Sequence, residues 1–182
     1  CLPYSLFDNA PSLDVLVHSS IDSLADSGAS VAETLIAWYE LWRAGCFGIG
    51  MTEVGNYLRA NALNYWSLAP GDSRLAERLA TERREGDAEL GMPLKTAMLY
   101  AEHRNRADGG AAYARAHEAR RLLTAGVDDA LSEVDVLASV AVPMLPPTWD
   151  EEIDDVLEAL ATTGPFNVTG HQALPVPVET DD

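Results

Sequence analysis

The stretch VDVLASVAV, residues 134–142, constrains the fold more than any other part of the chain. Seven of its nine residues are apolar, and Pro143 ends the run. A pattern with so few polar positions suits a strand buried on both faces, which needs covering layers on either side. Two further segments read as strands. ASVAETLI, residues 29–36, is rich in β-branched residues, and residues 173–178 form a final apolar strand.

Helical signals fill most of the remainder. Leu13, Val17, Ile21 and Leu24 recur at helical spacing across residues 13–28, and Gly28 supplies the stop. The aromatic, glycine-punctuated stretch from Trp38 to Leu68 reads as two helices. PGDSR, residues 70–74, carries turn and N-cap chemistry ahead of a charged, exposed helix from Leu75 to Glu89. Pro93 fits the first turn of another helix, which Gly109-Gly110 interrupts, and a long helix follows from Ala111 to Glu133. Residues 150–162 read as an acidic amphipathic helix. The predicted class is therefore α/β, with mixed sheet strands flanked by helices, and helix-dominated. Three strands are few for a self-sufficient sheet, so the fold is expected to be incomplete alone. No repeat, linker or low-complexity segment divides the 182 residues, which read as one domain.

Charge narrows the function. Twenty-nine acidic residues face 12 basic ones, a formal net charge of −17. Nucleic-acid binding needs clustered Lys and Arg to displace counterions, so DNA and RNA are excluded as partners. Anionic membrane surfaces are disfavoured for the same reason. Lys95 is the only lysine, and an acidic, lysine-poor surface is what a salt-rich cytoplasm favours. No uninterrupted apolar run approaches the ~20 residues that span a bilayer, and nothing reads as a secretory leader. A cytoplasmic protein is expected.

Catalytic and metal motifs are scarce. His18, His103, His117 and His171 are scattered, without tight His or Cys partners, so no metal site is expected. DEEIDD, residues 150–155, lacks the spacing and the glycine of a calcium loop and suits a helix N-terminus. Phosphate loops and the GxSxG elbow are absent, and no cofactor is expected. Ser19 and Ser20 follow His18, but consecutive helical side chains diverge by about 100° and do not converge. Cys1 and Cys46 form no disulfide framework, and Cys46 in AGCFGIG reads as a small buried hydrophobe. No complete active site emerges, so no catalytic residue is assigned. Asn167-Val168-Thr169 matches a glycosylation sequon, yet in this apolar context Asn167 reads as a capping residue.

The C-terminal stretch TTGPFNVTGHQALPVPV, residues 162–178, resembles the amidase signature family, where the segment usually reads N-T-A-P-F-N-V-T-G-H-P-A-L-S-V-P. Pro165-Phe166-Asn167, Thr169-Gly170-His171 and Ala173-Leu174 match. VDVLASVAVPMLPP is similar to the family's D-V-L-x-x-P strand and proline turn. GGAAYARAHEARRLL, residues 109–123, is similar to the helix before it, and LVHSSIDSLADSGASVAE, residues 16–33, to the helix and strand after the catalytic half. AWYELWRAGCFGIG fits members with an aromatic helical insertion. Gln172, Pro175 and Glu179 depart from the usual Pro, Ser and Gly.

The resemblance implies hydrolysis of carboxylic amides by a Ser–cis-Ser–Lys triad, with an acyl-enzyme and a backbone oxyanion hole. That machinery belongs to a glycine- and serine-rich half upstream of the matching blocks, and Lys95 lies in the wrong block to serve as its lysine. The expectation is thus the C-terminal part of an amidase domain over residues 1–182, cut at both ends and inactive alone. Its partners are a small-molecule amide and the remaining half of the fold, whether in the same chain or in a separate subunit. A homodimer is left open. The alternative is a non-catalytic subunit or small-molecule binding module that pairs with a separate catalytic half. Trp42, Trp38 and Phe166 are the implied pocket-wall residues, and Asn167, Gly170 and His171 structure the loop.

Overall fold

The computed structural model describes residues 11–61, 72–86, 90–146, 148 and 159–177. The expected acidic helix at 150–162 and its DEEIDD cluster lie outside these residues up to position 158, as do Cys1, residues 62–71 and Val178.

The described chain is helical. Helix α1 spans Pro11–Asp26, a 3-10 turn Tyr39–Leu41, α2 Trp42–Gly45, a π-helical turn Cys46–Met51 and α3 Thr52–Arg59. Then follow α4, Ser73–Gly86; α5, Met92–Asp108; α6, Ala111–Glu133; and α7, Gly164–Thr169. Local chemistry sets most boundaries. Gly28 (φ 98°) closes α1, with Ala29 N–H bonded to the Leu24 carbonyl and Gly28 N–H to that of Ala25, a Schellman end. The Asp72 carboxylate accepts the Arg74 and Leu75 amides at 2.9 and 3.3 Å and caps α4. Pro93 lies in the first turn of α5, and Gly109 (φ 61°) and Gly110 (φ 89°) separate α5 from α6.

The expected sheet is overturned: there is no strand among the described residues. Segments 29–36, 134–142 and 173–177 run without helix or ladder. The α/β expectation gives way to an all-helical description of these residues. A ladder needs a second backbone with free donors and acceptors about 4.8 Å away in matching register, and no such ladder is formed among the described residues. The side chains follow suit: Leu35, Val136 and Leu174 are 72, 74 and 84% exposed. The apolar run that read as a doubly buried strand is only partly covered here, with Val134, Leu137 and Val140 half-buried and Val136 and Val142 exposed.

The contacts divide the described chain into two compact units, one of residues 1–43 and 119–182, the other of 44–118. In the second, α3 packs on α5 through Gly55, where a methyl would meet the Ala97 carbonyl and lie 2.6 Å from Ala101 Cβ. Only glycine lets the two backbones come this close. Polar ties surround this seam. Arg59 pairs with Glu102, Tyr113 donates to Glu53 at 2.7 Å, and Asn105 donates to Asn56 at 3.1 Å. Arg83 of α4 donates to the Leu58 and Arg59 carbonyls and to Asn61, satisfying the open C-terminal end of α3.

In the first unit, Leu123, Val127 and Ala130 of α6 form a buried stripe. Ile36, Tyr39, Trp42, Ala161, Thr162 and Pro165 are buried in the same unit.

Candidate functional site

The candidate pocket-wall and loop residues all fall in the first unit. Two buried contacts fix the turn that carries Trp38 and Trp42. The Tyr39 hydroxyl donates to the Ala161 carbonyl at 2.7 Å across 122 residues of sequence. The Trp42 indole lies against Gly164, where a methyl would stand 2.7 Å from Cζ3. Removal from water pushes the Tyr39 phenol well above its usual 10.0, because the phenolate would lose its solvation. Nearby, Thr162 Oγ1 donates to the Ala141 carbonyl at 2.6 Å, so residues 39–42, 141 and 161–164 are tied together.

Trp42 is 3% exposed, packed on Gly164 with the Arg43 guanidinium 5.4 Å from its ring centroid, a cation–π distance. Trp38 differs: its side chain is exposed, and its backbone lies in the left-handed region at φ 63°. For a bulky aromatic residue that conformation is strained, by about 1–3 kcal/mol. The surrounding contacts hold it, with the Trp38 carbonyl receiving the Leu41 amide at 2.9 Å. A π-helical turn follows at Cys46, a feature frequent at functional positions.

Phe166 is half-buried on α7, and Asn167 is exposed on the same helix. Gly170 (φ 83°) ends α7, its N–H bonded to the Phe166 carbonyl at 2.8 Å. His171 bridges two partners: Nδ1 lies 2.8 Å from Thr169 Oγ1 and Nε2 lies 3.1 Å from Asp128 Oδ1 of α6. The Asp128 contact joins positions 43 residues apart and was not legible in the sequence.

The other residues singled out in the sequence have local surroundings of their own. Ser20 donates to the Leu16 carbonyl four residues back in α1 at 2.8 Å, so its hydroxyl is engaged in the helix. His117 packs edge-on against Tyr113, ring centroids 4.5 Å apart. Burial pushes the Cys46 thiol up, which disfavours its nucleophilic thiolate. No group of three or more metal-ligating side chains occurs among the described residues, and none of their helices is long and apolar enough to cross a membrane.

Comparison with known proteins places this geometry in context. The sequence model of the amidase family matches residues 3–182, and the chain belongs to that family. It is 30% identical to a subunit of the glutamyl-tRNA(Gln) amidotransferase of Haloarcula marismortui, over all of this chain and 44% of that protein. To the subunit of the same name from Sulfurisphaera tokodaii it is 28% identical, over 89% of this chain and 35% of the other. An enantioselective amidase of Rhodococcus rhodochrous is 26% identical over 80% of this chain and 33% of its own length. The chain thus spans less than half the length of these relatives.

Proposed function

We propose that the chain forms the pocket-wall part of an enzyme that hydrolyses carboxylic amides to an acid and ammonia or an amine. The serine–serine–lysine set comes from the remaining part of the fold, in the same chain or a separate subunit. The observation that carries this reading is the amidase match from residue 3 to 182, with the PFNVTGH motif inside it. Relatives named as amidotransferase subunits support assembly with a partner.

In this reading Trp38, Trp42 and Phe166 belong to the wall on the acyl side of the substrate. Trp38 is the accessible member, Phe166 is half-buried on α7, and Trp42 is the buried support packed on Gly164. Asn167, Gly170 and His171 hold the α7 end in place. Pockets for small ligands combine apolar walls with a few orienting polar groups, and aromatic walls suit aryl or long aliphatic acyl amides.

The test supplies the chain with the remaining part of its amidase fold and measures ammonia or amine release from aryl and aliphatic amides. Turnover is expected for the combination and not for these 182 residues alone. Trp38→Ala should raise KM more than it lowers kcat, the signature of lost uniform binding. Turnover by the isolated chain would overturn the assignment of the triad to the remaining part. Tight amide binding without turnover in the complete fold would instead favour a binding module.

A further inference from the structure

His171 sits where two elements of the first unit meet. Its ring is mostly covered, at 19% exposure, while Asp128 stands 65% exposed on α6. Among the described residues, Asp128 is the charged group that meets the ring. Asp129, the next charge on α6, points about 100° away around the helix. Helix α7 (GPFNVT) carries no titratable side chain, and Gly170 and Gln172 flank His171 without charge.

The ring's two bonds cannot be the same in its two protonation states. A neutral imidazole has one N–H and one lone pair, and a carboxylate only accepts. With Asp128 at Nε2, the neutral ring must carry its hydrogen there, so Nδ1 accepts from the Thr169 hydroxyl. That hydroxyl is then turned away from the Phe166 carbonyl, which lies 3.3 Å from Oγ1. The imidazolium donates from both nitrogens. Thr169 Oγ1 then accepts from Nδ1–H and gives its own hydrogen to the Phe166 carbonyl, while the Nε2 contact to Asp128 becomes charge-assisted. One proton thus adds a bond inside α7 and strengthens the tie to α6.

We infer that His171 is a proton-linked latch, fastening the α7 end and the 171–177 arm to α6 more tightly when the ring is charged. The arm carries Leu174 and Val176, both largely exposed, so it has few apolar contacts of its own to hold it. Loss of the ring proton would remove the charge-assisted bond and loosen the latch.

Two measurements on the full chain decide it. The first is a double-mutant cycle of His171→Gln and Asp128→Asn, read from unfolding equilibria at about pH 5 and pH 8. The coupling should be larger at the acidic end by about two- to fivefold in the unfolding constant, the scale of a partly exposed ion pair. Equal coupling at both pH values would overturn the latch. The second needs no variant: nitrogen NMR of the His171 ring in the unaltered chain. The Nε2–H tautomer at high pH, with a larger Gly170 amide protection factor at low pH once the intrinsic pH dependence of exchange is divided out, is expected. The Nδ1–H tautomer, or Gly170 protection indifferent to ring charge, would sink the proposal even if the variants fail to fold.

Discussion

At the residue scale, Tyr39 shows how one polar atom anchors a buried turn. Its hydroxyl donates to the Ala161 carbonyl, and Tyr39→Phe would take that donor away from a buried acceptor. The expected loss is about 1–3 kcal/mol, measured as a lower urea midpoint at neutral pH. The pH dependence follows from the raised phenol. The unfolded tyrosine ionises through its ordinary value of 10.0 while the folded one stays protonated. The unfolded state therefore holds fewer protons above that pH, and stability present below it falls as pH rises further. Tyr39→Phe should flatten this alkaline decline relative to the parent chain. An unchanged slope would place the dependence elsewhere. Trp38 belongs to the same scale, since its strained backbone is a residue property that no neighbouring sequence signal announced.

At the element scale, what can be read in advance is whatever local chemistry determines. The Gly28 stop, the Asp72 cap, Pro93 at the start of α5 and the Ala111–Glu133 helix each depend on residues within a turn of the boundary. The strand reading fails because apolar content reports a demand for burial, and pairing is set by a distant backbone. VDVLASVAV carries the demand, yet it forms no strand among the described residues. The site divides in the same way: the PFNVTGH motif is visible, whereas the Trp42–Gly164 and His171–Asp128 contacts depend on the fold. Gly55 offers the sharpest test of packing between elements. Gly55→Ala would drive a methyl into the Ala97 backbone and Ala101, neither of which is the end of a flexible chain. Separation of α3 and α5 should cost about 1–3 kcal/mol in urea denaturation. Gly50→Ala is the control, because nothing lies within 4 Å of a methyl there. Lower backbone entropy in the unfolded chain should make it neutral or stabilising by up to about 1 kcal/mol. Equal losses in the two variants would refute the close-approach account.

At the scale of the whole molecule, the net charge of −17 sets the response to salt. Two electrostatic effects oppose each other. Salt weakens attractive pairs such as the partly buried Arg59–Glu102 and Arg104–Asp108, while the more exposed pairs contribute only about 0–1 kcal/mol each. It also relieves repulsion among the excess carboxylates, which folding crowds together and unfolding lets apart. From about 0.1 M to about 1 M salt the Debye length shrinks from about 10 Å to about 3 Å. Repulsion across tens of ångströms is already partly screened at the start, and its remaining mid-range part is removed over this span. Pairs in direct contact are screened less, so the repulsive term changes more and stability should rise. The measurement is the urea midpoint at neutral pH in increasing potassium chloride, with sucrose as a neutral control for general preferential exclusion. A rise in chloride beyond that in sucrose, with an unchanged denaturant slope, would identify screening as the cause. A falling midpoint would mean that the arginine–carboxylate pairs outweigh the acidic excess, and Arg59 and Arg104 would then be the first side chains to replace.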